Sequence, residues 1–250
     1  METAAQWILH EDRHIVVVNK PAGLATQAPA GIPSVEGSVK EYLRQKYNKP
    51  GNVYLGVPQR LDRPVSGVLV LARQTKAARR LHEQFQQRTV EKEYWALVSG
   101  RVEPAAGTWH DWLRKVPGQA RVERTQADET GARWAETSYR VLAWAEEVTW
   151  LALYPRTGRM HQLRVQTAGR GHPILGDTLY GSEHAFGRES REGNCIALHA
   201  RRLTLRHPFQ GDFGQLWTFT APLPSSWEAF AHLFPLITPG CQHPTGTCLS

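Results

Sequence analysis

Short blocks of apolar residues, mostly with a period of two, recur along the chain and predict strands more often than helices. His14–Asn19 (HIVVVN) is β-branched and stops at Lys20-Pro21-Ala22-Gly23, which reads as a strand entering a turn. Gln27–Pro33, rich in Ala, Pro and Gly, reads as a loop. Ser38 and Glu41 make a capping-box pattern, with Tyr42, Leu43 and Tyr47 following at helical spacing. Gly67–Arg73 (GVLVLAR) predicts a buried strand, and Thr75 the cap of a helix with Ala78, Leu81 and Phe85 on one face. Glu93–Ser99, Thr137–Trp144 and Val148–Tyr154 alternate. The last two flank Ala145-Glu146-Glu147 as an antiparallel hairpin. Leu198–Leu205 and Leu216–Thr220 are further strands, and Ser225 with Glu228 predicts a second capped helix through Trp227, Phe230, Ala231 and Phe234.

Strands that adjoin one another, without regular alternation with helices, predict an α+β fold. Its central sheet is expected to be mixed and mostly antiparallel, flanked by helices and loops. The polar stretch Val116–Arg133 reads as an inserted loop or small hairpin. The expected organisation is one domain over residues 1–234, then a flexible tail over 235–250 that carries Pro, Gly, Thr and Cys without periodicity.

Composition narrows the classes. The chain has 250 residues, 41% hydrophobic and 21% charged, which is ordinary for a globular protein. Apolar runs such as Ile15–Val18 and Val68–Ala72 are far too short for a membrane-spanning helix. The start, METAAQWILHEDRH, lacks the basic and then apolar regions of a secretory signal. Three cysteines (Cys195, Cys241, Cys248) are too few for a disulfide framework, so the expected setting is a reducing cytoplasm. The net charge of +7 points to an acidic partner, nucleic acid before an anionic membrane, although a merely basic enzyme explains it equally well.

Candidate chemistry concentrates in three polar segments. In Pro58–Gly67 an aspartate, Asp62, sits between Arg60 and Arg63 on a loop that runs into an apolar strand. Neighbouring cations keep a carboxylate ionised, which suits a nucleophile better than a proton donor. An Arg–Asp bridge across a turn explains the same spacing. In Thr157–Val165, His161, Arg164 and Ala168 fall on one helical face that offers a cation to a carboxylate or phosphate, or else is simply solvated. Gly171–Gly181 has the Gly and Pro punctuation of a structured loop. Cys241 and His243 with Cys248 lack a fourth ligand and standard zinc spacing, so no metal site is expected.

Arg60-Leu61-Asp62-Arg63 with Ser66-Gly67 resembles the central motif of the RluA family of pseudouridine synthases. Ile15–Gly23 resembles the family's N-terminal strand and turn, and Lys92–Val98 its tyrosine-bearing strand. Thr157–Val165, Gly171–Gly181, Leu198-His199-Ala200 and His207-Pro208 follow in the family's order, so the resemblance spans Trp7 to Pro222. It implies the pseudouridine synthase catalytic fold and the isomerisation of specific uridines in structured RNA, a tRNA or rRNA stem-loop, without a cofactor. By resemblance, Asp62 is the catalytic carboxylate, Tyr94 stacks on the target uracil, and Arg164 pairs with Asp62. Arg60 enters the RNA stack when the uridine turns out, and Arg63, Arg159 and His161 join it as RNA-binding residues. Leu61 and Leu163 read as packing, and Lys76, Arg79 and Arg80 as phosphate contacts or an exposed helix face.

The chain departs from the family at Gln59, where histidine is usual, and at Val65, where threonine is common. These two positions carry the alternative reading, an RNA-binding protein of the same fold with little catalysis. A glycoside hydrolase would need a second carboxylate that the motif does not supply. The resemblance leaves no room ahead of the catalytic fold for an S4-like domain, so the expectation is a monomer that selects RNA with its catalytic domain, with no obligate protein partner and no membrane.

Overall fold

The computed structural model describes residues 4–187, 195–209 and 215–232. The predicted Phe234, the tail 235–250 and its Cys241, His243 and Cys248 lie outside the described residues. In chain order the elements are β1 (Ile8–Glu11), β2 (Ile15–Lys20), α1 (Val35–Lys46), β3 (Ser66–Ala72), α2 (Thr75–Gln86), β4 (Glu91–Ser99) and β5 (Ala106–Lys115). There follow β6 (Val122–Thr125), β7 (Arg133–Ala145), β8 (Val148–Pro155), α3 (Gln162–Ala168), β9 (Leu198–Arg206) and β10 (Leu216–Thr220). Among the described residues, no helix is long and apolar enough to cross a membrane.

All ten strands join one sheet, ordered β1-β2-β3-β9-β4-β8-β7-β5-β6, with β10 added on β9. Every pairing is antiparallel except β3 with β9, where Ser66 faces His199 and Gly67 faces Ala200. The expected α+β fold with a mixed, mostly antiparallel sheet is therefore what the chain forms. Every residue of β3 is buried, as its unbroken apolar run requires of a strand covered on both faces. Gly67 is there for backbone reasons. Its φ is +117°, and a Cβ would collide with the backbone of Ala200.

Several boundaries differ from the sequence pattern, each for a local reason. Helix α1 is capped four residues before Ser38, because the Ser34 side chain accepts the Gly37 N–H at 3.1 Å, and the helix buries Val35, Val39 and Leu43 at i, i+4, i+8. Thr75 is the first residue of α2 and Gln74 its cap position. The segment after Pro224 forms a 3₁₀ turn over Ser225–Phe230 in place of the predicted α-helix, seating the fully buried Trp227. Of the two readings of Val116–Arg133, loop or small hairpin, the hairpin is what forms, since β6 returns along β5 with Lys115 opposite Val122. Strands β1 and β5 fall outside the elements predicted from hydropathy. In β5 the buried side of the alternation includes the acid Asp111.

The largest correction concerns the segment after Thr157. Its helix, α3, is not a solvated cationic face: Gln162–Thr167 are all buried, Arg164 with them. His161 stands outside α3 as its cap residue, in the left-handed region at φ +51°, and not at the start of a shared face with Arg164 and Ala168.

Candidate active site

Asp62 sits on the loop entering β3, and reciprocal hydrogen bonds hold that loop down. The Leu61 N–H donates to Thr26 Oγ1 (3.1 Å), which in turn donates to the Leu61 carbonyl (2.8 Å). The Gly23 N–H donates to the Arg63 carbonyl (2.8 Å), and Arg63 Nε returns a bond to the Gly23 carbonyl (2.8 Å). Beneath this turn the fully buried Lys20 donates to the carbonyls of Pro21 (2.9 Å), Leu24 (2.6 Å) and Arg63 (3.2 Å). Three carbonyl acceptors match the three N–H bonds of an ammonium. Burial pulls the Lys20 pKa down to about 7, while the Asp62 carboxylate draws it back up.

Arg164, from α3, meets this loop across the cavity. Its guanidinium makes two short bonds to Asp177, Nε to Oδ2 at 2.6 Å and Nη2 to Oδ1 at 2.7 Å, and reaches Asp62 Oδ2 with Nη1 at 3.3 Å. The Arg164 pKa is raised although burial opposes it, because Asp177 and then Asp62 favour the cation. Asp177 is 1% exposed and Asp62 31%. The buried acid therefore anchors the arginine and the open one faces the cavity. This division of labour was not legible in Gly171–Gly181, whose punctuation reads as turn chemistry alone.

Tyr94 projects from β4 between Leu153 and Ala200 in register. Burial first, and then the Asp62 charge, push its phenol up, so the ring stays protonated beside the carboxylate. A protonated phenol is a flat neutral surface and a donor, and is not a resting base. Asp62, Tyr94, Arg164, Arg60, Arg159 and His161 all line one cavity of about 120 Å³. It opens onto a groove of about 800 Å³ that adds Phe85, Arg88, Arg156 and Met160.

The structure thus gathers every expected site residue except Arg63, which is exposed, bound to Gly23, and not among the lining residues. Leu61 and Leu163 are core residues, as expected. On α2, Arg79 pairs with Glu83 (3.6 Å), and Arg80 donates to the Pro208 carbonyl (2.6 Å) and covers the Phe209 ring. Gln59 Nε2 donates to the Val68 carbonyl (3.3 Å), and Val65 is packed in the core. Three residues given no individual role from sequence also belong here. Asp177 anchors Arg164, Tyr180 bonds His161, and Lys92 lines the cavity with its pKa lowered to about 8 by burial.

A buried chain of side-chain hydrogen bonds supports the Thr157–His161 turn. Thr157 Oγ1 donates to Gln162 Oε1 (2.7 Å), and Gln162 Nε2 donates to Thr137 Oγ1 (2.9 Å). Thr137 Oγ1 then donates to Gln166 Oε1 (2.6 Å), and Gln166 Nε2 to Asp111 Oδ2 (2.8 Å). Each buried amide and hydroxyl in the chain is satisfied by the next, which fixes the turn against the sheet.

Comparison with known proteins places this geometry. A family profile described as RNA pseudouridylate synthase matches residues 14–169. The chain is 38% identical over 221 residues to the dual-specificity RNA pseudouridine synthase RluA of Escherichia coli (strain K12), covering 86% of this chain and 92% of that one. It is 33% identical over 207 residues to the ribosomal large subunit pseudouridine synthase C of Buchnera aphidicola subsp. Acyrthosiphon pisum (strain APS), covering 82% and 64%. Among solved structures, human RNA pseudouridylate synthase domain containing 4 superposes with a TM-score of 0.75 at 25% identity, covering 93% of this chain and 94% of that one.

Proposed function

Because the chain belongs to the RNA pseudouridylate synthase family and isomerises uridine in RNA to pseudouridine, we propose that Asp62 is the carboxylate that drives the isomerisation. The observation that carries this reading is the meeting of Asp62, Arg164 and Tyr94 in one cavity, with the arginine anchored from behind by Asp177. The reaction breaks the N1–C1′ bond, turns the uracil, and joins C5 to C1′, with the C5 proton lost and a proton gained at N1. Asp62 acts on the base or sugar as nucleophile, or as the base that removes a ribose proton. Arg164 keeps it ionised within the cavity. Tyr94, flat and protonated, supports the uracil face while the base rotates.

A stacked base hides C1′ and C5, so the uridine must leave the helix. Arg60, exposed at the rim, takes the vacated place in the stack, and Arg159 with Arg88 and Arg156 faces the phosphates along the groove. The substrate class that suits this surface is a tRNA or rRNA stem-loop, met by a monomer in the cytoplasm. Gln59 and Val65, which carried the non-catalytic alternative, bond the Val68 carbonyl and pack in the core respectively, and Asp62, Arg164 and Tyr94 are all present in the cavity.

The test is pseudouridine mapping of total RNA from cells without the gene, complemented with wild type or Asp62→Asn. A site restored only by wild type is the expected result, with Asp62→Asn still binding that RNA. Restoration by Asp62→Asn overturns the assignment.

A further inference from the structure

His161 was grouped with the RNA-binding residues, yet its surroundings give it a different task. Its side chain is 11% exposed, with Nε2 lying 3.6 Å from Asp62 Oδ2 and Nδ1 2.8 Å from the Tyr180 hydroxyl. That hydroxyl already accepts the Val122 N–H at 3.0 Å, from the tip of the β5–β6 hairpin. The phenolic proton is then free to be donated, and His161 Nδ1 stands at hydrogen-bond distance to take it. An accepting Nδ1 leaves the ring proton on Nε2. The opposite tautomer would aim an Nε2 lone pair at a carboxylate and leave the phenol proton without this acceptor. Burial foremost, and then the Arg164 cation, hold the imidazole neutral against the pull of Asp62 and Asp177. The Tyr180 ring also lies under the Arg164 guanidinium at 5.1 Å, so one tyrosine touches both groups that face Asp62.

We propose that His161 is a positioning residue: locked as the Nε2–H tautomer by Tyr180, it presents a neutral N–H to the Asp62 carboxylate and, with Arg164, fixes the orientation in which that carboxylate reacts. The gap of 3.6 Å is longer than a hydrogen bond and is the kind that shortens when substrate enters. This inference rests on Asp62 being the reacting group. His161 adopts φ +51° as the residue that caps α3, and this places its ring outside the helix, between Asp62 and Tyr180.

The experiment uses the full chain and RNA extracted from cells lacking the gene, with single-turnover rates at saturating enzyme and RNA affinity measured separately. His161→Leu is expected to slow the saturated rate by about tenfold or more while RNA affinity stays within about twofold, and His161→Gln, which restores an amide N–H, to show a smaller loss. Tyr180→Phe is expected to slow the rate in the wild-type background and to add nothing in the His161→Leu background, since it acts through the imidazole. Loss of affinity with an unchanged saturated rate would make His161 an RNA contact and overturn the proposal. An equal Tyr180→Phe effect in both backgrounds would assign Tyr180 to the hairpin and overturn the lock. Should His161→Leu not fold, His161→Gln and Tyr180→Phe decide the matter by the same criteria. Asp62→Asn separates the two readings: a dead Asp62→Asn beside a fully active His161→Leu refutes only the present inference, whereas an active Asp62→Asn refutes the premise.

Discussion

Replacing Asp177 by asparagine probes the anchor of the site without changing its shape. The substitution takes away the charge that holds the Arg164 guanidinium through bonds of 2.6 and 2.7 Å, in a place where the two side chains are 6% and 1% exposed. Charge-assisted bonds contribute about 1.5–3 kcal/mol each, and breaking a buried pair by removing one partner costs about 3–5 kcal/mol. An asparagine carbonyl still accepts one N–H, which puts the expected loss near the lower bound, about 3 kcal/mol. For a chain of this size that lowers Tm by roughly 6–12 °C. Turnover falls as well, because an unanchored Arg164 no longer faces Asp62 in a fixed orientation. Urea and thermal melts of wild type and Asp177→Asn supply the comparison, with single-turnover rates on substrate RNA alongside. The double variant Arg164→Met with Asp177→Leu should be more stable than Asp177→Leu alone, since no uncompensated charge stays buried. A Tm within about 2 °C of wild type for Asp177→Asn would refute the reasoning, because it would mean that the pair contributes under 1 kcal/mol.

Two further outcomes follow from the fold. Gly67→Ala forces a Cβ into the Ala200 backbone at the parallel β3–β9 junction and should leave little soluble folded protein, as read by circular dichroism; a native melt would show that the junction can shift. His199 is fully buried, accepting from Ser66 Oγ at Nδ1 (2.9 Å) and donating from Nε2 to the Ala221 carbonyl (3.2 Å), and burial above all pulls its pKa from 6.5 down to about 3. The unfolded chain therefore takes up this proton first as pH falls, so the contribution present in full above pH 6.5 is lost between 6.5 and about 3. Urea midpoints across that window should fall less steeply for His199→Gln than for wild type, and equal slopes would reject the linkage.

The sheet was legible wherever the chain alternates or is uniformly apolar, as in β2, β3, β8 and β10, because those patterns need only local burial to make sense. What stayed hidden has polar residues in buried positions. Asp111 interrupts the pattern of β5 and is satisfied by Arg124 (2.7 Å), Arg170 (2.9 Å) and Gln166 (2.8 Å), all distant in sequence. Helix α3 is dominated by Gln162, Arg164 and Gln166, whose burial depends on Thr137, Asp177 and Asp111. No hydropathy window sees those partners. The candidate site was legible only through motif resemblance, which pointed to Asp62, Tyr94 and Arg164 together. The anchoring acid and the tyrosine behind His161 became visible only in the folded chain, because the sequence of Gly171–Gly181 looks the same whether Asp177 faces water or a guanidinium.

The position of β9 between β3 and β4 has a consequence for how the protein comes into being. Strands β1, β2 and β3 form one ribbon, and β4, β8, β7, β5 and β6 form another, each assembled by antiparallel pairing of segments that precede residue 160. Asp62 lies on the loop that enters β3 of the first ribbon, Tyr94 on β4 of the second, and Arg164 on α3, which packs against β5 and β6. Among the described residues, β9, which begins at Leu198, is the strand that pairs with both edges. The candidate site therefore spans a junction that local pairing does not close: β3 and β4 become neighbours of one strand only through β9, more than 100 residues further along the chain, a contact of the high sequence separation that slows folding.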